Sequence, residues 1–481
     1  MTVIFLFLLG CVLLWKLPTV GLKRYDLIIA LVIKCLFCAL FFQIYADYYG
    51  TGALSADAGL FMKESKILHD VSVESWGDYF KFIFGLETQE MIMHHLGATD
   101  HWSSGNLILI NDAQNVMRVN SLIYFISGGD IKVHLLLFSL FIVLGIRELY
   151  LTFHNKIFIE KRLFFLLLLV LPSLAFWSAS MLKEPLMIVG LCLILRAQFG
   201  ELTFKKRIVK FIVGSVLMLL FKPYVFFILI GSILVFMIAN ICFKRKVWLA
   251  TLVVFTAGSI LFMFNTKSKD ELVAYLTRKQ FDFINVGQGG LHAYADSCFY
   301  YFREDQYDGI TFFGGHHVRL EESMLAKKVK LGSAQAAEDV YLKPTGKIWI
   351  NYYSTYRCGS FIPVTQINNS SSQLIKNIPE AFVNAAFRPF FGDPGGNLKY
   401  FNIVETLILF GWLLFTLLFF RKYRSFEDNQ LIWTFVVFSI LLFLLIGFTT
   451  PVLGAIARYR IPAYLMLFIC SVLGSKKKQL I

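Results

Sequence analysis

Apolar runs of membrane length recur along this chain, and they decide what it can fold into. A helix needs about 20 apolar residues to cross the hydrocarbon core of a bilayer. Eleven candidate runs are read here, at roughly 2–15, 26–45, 131–152, 163–180, 184–200, 208–221, 224–243, 247–265, 401–420, 431–449 and 456–474. Two long polar stretches separate them, residues 46–130 and 266–400. Of the 481 residues 57% are hydrophobic and 16% charged, against about 45–50% and 25% in a soluble domain. Most of such a chain must be dissolved in lipid.

The basic residues set an orientation. Clusters lie at Lys16/Lys23/Arg24, Lys156/Lys161/Arg162, Lys205/Lys206/Arg207/Lys210, Lys244/Arg245/Lys246, Arg421/Lys422/Arg424 and Lys476/Lys477/Lys478. With eleven spans all six fall on one face, which the positive-inside rule makes cytoplasmic. The net charge of +14 is then topological and calls for no nucleic acid. The expected fold class is an all-α integral membrane protein of about 11 transmembrane helices, N-terminus outside and C-terminus inside, with two large extracytoplasmic loops. Its parts are two membrane helices (1–45), a first outer loop with interfacial helices (46–130), six membrane helices (131–265), a large outer loop domain (266–400) and three membrane helices (401–481). No positive charge precedes the first apolar run, as a cleavable signal requires, so residues 2–15 read as an uncleaved helix.

The outer loops carry the polar chemistry. Residues 60–84 are amphipathic, with Trp76, Tyr79, Phe80 and Phe84 suited either to the membrane interface or to a packed loop helix. In the long loop, residues 320–342 read as an amphipathic helix, and Trp349, Tyr352, Tyr353, Tyr356 and Phe361 could stack on a sugar or cover a membrane rim. Charges there nearly balance, 15 basic against 13 acidic, unlike a nucleic-acid surface. Cys298 and Cys358 are read either as a disulfide or as two thiols.

Ionisable groups at the hydrocarbon boundary are costly and usually have a task. On this topology Arg118, Lys183, Lys222, Arg388, Arg458 and Arg460 all lie at the outer boundary, where basic residues should be few. Each alone reads as a snorkelling side chain; together they suit a pyrophosphate. Glu184 would hold Lys183, or simply neutralise it at a helix start. Asp57, between small residues, could take a proton from a hydroxyl or cap a helix. His316 and His317 are rival bases. Eight of the nine histidines, all but His154, fall on the outer side. No cofactor is expected, the alternative being a divalent metal at His94, His95, Asp100 and His101.

These residues resemble a known group. Pro172-Ser-x-x-x-Trp-Ser leading to Lys183-Glu184, Arg388-Pro-Phe before a late span, Arg458-Tyr-Arg-x-Pro and the outer-loop Asp57 look like bacterial polytopic glycosyltransferases of surface-polysaccharide clusters. These include enzymes of the GT-C type and the O-antigen polymerases. Arg118 and Gly129 match the Arg-x10-Gly spacing of the polymerases. The resemblance implies a multi-pass protein of the bacterial cytoplasmic membrane, active on its outer face. It implies a polyprenyl-linked sugar donor and acceptor, and association with other polysaccharide assembly proteins. Arg388, Arg458 and Arg460 would hold the pyrophosphate, and Asp57 would be the base. The Asp57 loop follows the second span rather than the first, a departure from the GT-C pattern, and the large loop between spans eight and nine is more like the polymerases, so a polymerase or a related transferase is favoured. A single-sugar transferase, a flippase or transporter, and a non-enzymatic scaffold or receptor are the alternatives.

Overall fold

The structure is a computed structural model, and it describes residues 1–102, 111–243, 246–264, 266–314, 317–330, 337–420 and 424–474. Helices dominate it. Five are long and apolar enough to cross a membrane: Arg24–Tyr48, Ile131–Phe153, Pro223–Cys242, Lys399–Phe419 and Phe426–Thr449. The bent pair Leu453–Tyr459 and Ile461–Val472 makes a sixth if taken as one span. Several apolar helices of this kind mark a membrane-embedded protein. Other expected runs form shorter helices. The run at 163–180 divides into Lys161–Val170 and Pro172–Trp177, because proline lacks an N–H and fits a helix start better than an interior.

The chain packs as two compact units. The first comprises Met1–Leu234, Leu409–Val436 and the described chain from Tyr464 onward. Its tightest pair is Lys183–Phe199 against Phe204–Phe221. A Cβ on Gly190 would lie 2.9 Å from the Gly214 carbonyl oxygen, and one on Gly214 2.7 Å from that of Gly190. Two glycines thus let the backbones touch, the usual device for helix pairs in lipid. Charge gathers at the two ends of this pair. Lys205, Lys206, Arg207 and Lys210 occupy the first two turns of Phe204–Phe221, and Lys222 follows its last residue, about 26 Å from Lys205 at 1.5 Å per residue. At the end bearing that cluster, Arg147, Arg196 and Lys210 surround Glu148 at 3.2, 3.7 and 2.9 Å.

The second unit comprises Val235–Ile408 and Val437–Ala463, and here the all-α expectation is overturned. Seven strands form one antiparallel sheet: β1 Gly290–Ala295, β2 Cys298–Arg303, β3 Ile310–Phe313, β4 His317–Leu320, β5 Met324–Lys330, β6 Glu338–Leu342 and β7 Ile348–Thr355. Their order is β3-β4-β7-β1-β2-β5-β6. The helix expected at 320–342 is replaced, among its described residues, by the last residue of β4, by β5 and by β6, and residues 331–336 lie outside the described residues. Met324, Ala326 and Val329 are buried while Leu325, Lys327 and Lys330 are exposed, and this near-alternation outweighs the helical spacing in the same letters.

The sheet must curl. Four steps of about 4.8 Å separate β4 from β5 in a flat sheet, some 19 Å. Leu320 and Met324 are four residues apart and reach at most about 14 Å. Accordingly Leu291, Phe302, Ile310, Val318, Met324 and Trp349, from six different strands, share one core. Trp349 is therefore a core residue, with its ring centroid 4.4 Å from that of Tyr300, and is not a sugar platform. Helix Thr266–Gln288 meets the other face. The guanidinium of Arg278 lies 3.1 Å from Asp282 Oδ1 and also reaches the Tyr301 hydroxyl, which donates to that same oxygen at 2.9 Å. His292 packs on Tyr301, with ring centroids 4.5 Å apart. Cys298 and Cys358 are both free thiols.

Candidate functional site

In the first unit four charged residues meet where three helix ends come together. Asn111 caps helix Asp112–Ser127, its side chain accepting from the Ala113 and Gln114 N–H groups, and so sets Asp112 in the first turn. Lys183 and Glu184 open helix Lys183–Phe199, with Pro185 stiffening that turn. Lys222 ends Phe204–Phe221 because Pro223 cannot continue it. Lys183 Nζ lies 2.9 Å from Asp112 Oδ1, and Lys222 Nζ lies 3.8 Å from Asp112 Oδ2 and 3.9 Å from Glu184 Oε1. The Glu184 side chain is 1% exposed and that of Asp112 33%. Both ammonium groups thus share the more accessible carboxylate, and the buried one stands behind. Sequence reading missed Asp112: beside Asn111 it looks like part of a helix cap, and the segment led attention to Arg118.

Arg118 sits one helical turn from Asn115, whose Nδ2 donates to the Leu220 carbonyl at 2.9 Å. Arg118 itself is buried. Nε donates to the Phe82 carbonyl at 2.6 Å, Nη1 to Asn115 Oδ1 at 2.8 Å, and Nη2 meets Glu87 at 2.7 Å. Its donors hold the 82–87 turn against the helix, so it supports the cluster and presents no open guanidinium.

Helix Ala56–Glu74 supplies a second wall. Asp57, Phe61 and Glu64 fall at i, i+4 and i+7, on one face. Asp57 is exposed in the first turn. Lys183 Nζ stands 5.6 Å from the Phe61 ring centroid, which brings the Asp57 face beside the lysine cluster. Aromatic rings collect at the start of this helix, where Ser55 Oγ donates to the Tyr45 carbonyl at 2.6 Å: Tyr45 is 4.4 Å from Phe41, 5.6 Å from Tyr49 and 6.3 Å from Trp177 between centroids.

The histidines of this loop do not converge. His94 is exposed. His95 lies between Glu74 at 3.1 Å and Asp78 at 3.5 Å. His101 Nδ1 is 3.2 Å from Glu64 Oε2. Among the described residues no group of three or more His, Cys, Asp or Glu could hold a metal ion.

The other expected site residues lie in the second unit. Arg460 is fully buried. It donates to the Ala385 carbonyl at 3.4 Å, to the Arg388 carbonyl and to Thr406 Oγ1 at 3.2 Å, fastening helix Ile378–Ala386. Arg388 Nη1 donates to Asp393 Oδ1 at 3.0 Å, while Asp393 Oδ2 accepts the Phe390 N–H at 2.7 Å. Arg458 lies over the Tyr459 ring at 5.2 Å. His317 occupies an exposed position of β4 and stacks on Phe313; His316 lies outside the described residues.

The first-unit cluster sets two ammonium groups on one carboxylate, a charge arrangement that also suits an anionic ligand. A phosphate taking the place of the Asp112 carboxylate would meet two ammonium groups at once, with Glu184 keeping their charge balanced when the site is empty. No family model matches the chain, and neither a curated protein nor a solved structure matches it.

Proposed function

We propose that the protein transfers sugar units from a polyprenyl-(pyro)phosphate carrier on the outer face of the bacterial cytoplasmic membrane, as an oligosaccharide repeat-unit polymerase of surface polysaccharide. The reading keeps eleven spans, with the N-terminus outside and the C-terminus inside. The observation that carries it is the meeting of Lys183 and Lys222 on Asp112 beside the Asp57–Phe61 face. It lies at the end of Phe204–Phe221 remote from the basic cluster. In this reading the lysines take the donor's phosphate, Asp57 takes the proton of an acceptor hydroxyl, and polyprenyl pyrophosphate leaves with its charge stabilised by the lysines. A single-sugar transferase uses the same site with a different acceptor. A transporter has one observation on its side, buried Lys34 inside the span Arg24–Tyr48. Its hydrogen bonds to Ser178 Oγ at 2.9 Å and the Ala175 carbonyl at 3.5 Å give it a holding task at the Pro172–Trp177 break.

Deleting the gene in its host and separating the surface polysaccharide on a gel tests the reading. The expected result is loss of the ladder with single repeat units still exported. Loss of every repeat unit points to an earlier transferase or a flippase, and an unchanged polysaccharide removes the proposal.

A further inference from the structure

We infer that His101 and Glu64 form a base dyad serving this transfer, an assignment that rests on the proposed reaction and changes which residue moves its proton. Glu64 is 1% exposed in the interior of helix Ala56–Glu74. A carboxylate placed there is costly unless it is bonded. It accepts from the Asp100 N–H at 2.9 Å, from the His101 N–H at 3.4 Å and from His101 Nδ1 at 3.2 Å. The first two bonds fasten the 100–101 backbone to the helix. The third fixes the ring. A carboxylate facing Nδ1 demands the proton on that nitrogen, so Nε2 carries the lone pair.

Among the described residues the ring bonds through Nδ1 to Glu64, which leaves Nε2 to face outward on a side chain that is 26% exposed. Gln114 Nε2 donates to the His101 carbonyl at 3.0 Å, tying this loop to the helix that begins with Asp112. The imidazole and Lys183 stand on the same Phe61 ring, the imidazole centroid at 5.4 Å and the ammonium at 5.6 Å. An oriented base, its carboxylate and the anion-binding lysines therefore border one aromatic side chain. His95, with a carboxylate at each ring nitrogen, lacks that free lone pair.

The step balances. The acceptor hydroxyl gives its proton to His101 Nε2 while its oxygen bonds to the anomeric carbon of the donor. The anomeric carbon–phosphate oxygen bond breaks, and its electron pair leaves with the polyprenyl pyrophosphate. Glu64 stabilises the imidazolium that forms, and the proton passes afterwards to water. Asp57, on the same helix face, then positions the acceptor. The charged groups around the imidazole are Glu64, Asp100 on its own loop and, across Phe61, Lys183 with Asp112.

The test uses membrane vesicles from the deletion strain carrying the full-length chain, supplied with the lipid-linked precursor that strain accumulates. Transfer is measured between pH 5 and 9. The wild-type rate should fall on the acid side as imidazole protonates. His101→Ala should lower the rate about 10²–10⁴-fold, with added imidazole restoring part of it. His101→Gln should be equally slow and lose the acid limb. Glu64→Gln should cost about 10–100-fold, and exposed His94→Ala should match wild type. Melting in detergent separates these effects from unfolding. A wild-type rate in His101→Ala, or a slow His101→Gln that keeps the acid limb and ignores imidazole, overturns the dyad alone. Absence of transfer by the wild-type chain overturns the dyad together with the reaction.

Discussion

Charged residues that look alike in the sequence differ in what their polar atoms already touch. Lys222→Ala should abolish polymer while the protein still inserts, with a polysaccharide gel and a membrane immunoblot as the two readouts; a normal ladder would remove Lys222 from the site. Arg118→Ala should act otherwise. It strands Glu87 in the interior, a loss of about 3–5 kcal/mol, so detergent melting should drop sharply and protein level should fall with activity. His292 gives a pH-dependent case. Burial, with Arg278 adding to it, holds its pKa down at about 3 against an ordinary 6.5. The unfolded chain thus binds the extra proton first, so stability is full above about pH 6.5 and is lost as pH falls from there toward 3. Wild type should lose a few kcal/mol between pH 7 and 4, and His292→Gln should lose less over the same interval. Sequence reading singled out Lys183, Glu184 and Lys222, which the structure gathers around Asp112, because charge beside proline between apolar runs is conspicuous. It overrated Arg460 as an open cation: a guanidinium that fastens backbone carbonyls is written in the same letters as one that waits for a phosphate.

Among elements, the helix pair joined at Gly190 and Gly214 is the most exacting. A leucine at either position has to push the backbones apart, since even a Cβ meets a carbonyl oxygen below 3 Å. Gly214→Leu should cost about 1–3 kcal/mol or more and reduce folded protein, whereas Gly231→Ala, at a position where a Cβ meets nothing within 4 Å, should leave the melting temperature unchanged. The same pair positions Lys183 and Lys222, so activity should follow that loss. Apolar helices were legible because length and composition decide them. The strands were not. The stretch from Leu320 to Lys330 carries two acids, three lysines and a spaced set of apolar residues, which suits a helical face as well as a strand. What decides it is pairing with Cys298–Tyr301 on one side and Glu338–Leu342 on the other, and such long-range partners leave little local trace.

For the whole molecule, eleven spans put the two termini on opposite faces, and any even number puts them together. Reporters fused to each end, one active only outside and one only inside, should light on opposite sides; agreement would refute the proposed topology. The two long polar regions were legible as regions, and their boundaries follow from the apolar runs that flank them. That one of them carries a curled sheet was not, since in its strand order the pairings that join its three hairpins and its last strand, β4 with β7, β7 with β1 and β2 with β5, lie between strands distant in sequence. That order has a consequence in time. Strand β7 pairs with both β1 and β4, so the middle of the sheet stays open until the last strand is made. Thr355, the partner of Gly290, is synthesised roughly 3–13 s after it at about 5–20 residues per second. Through that interval β1 and β4 are unpaired edges, the state in which a newborn chain is most open to capture by a chaperone or a second copy of itself.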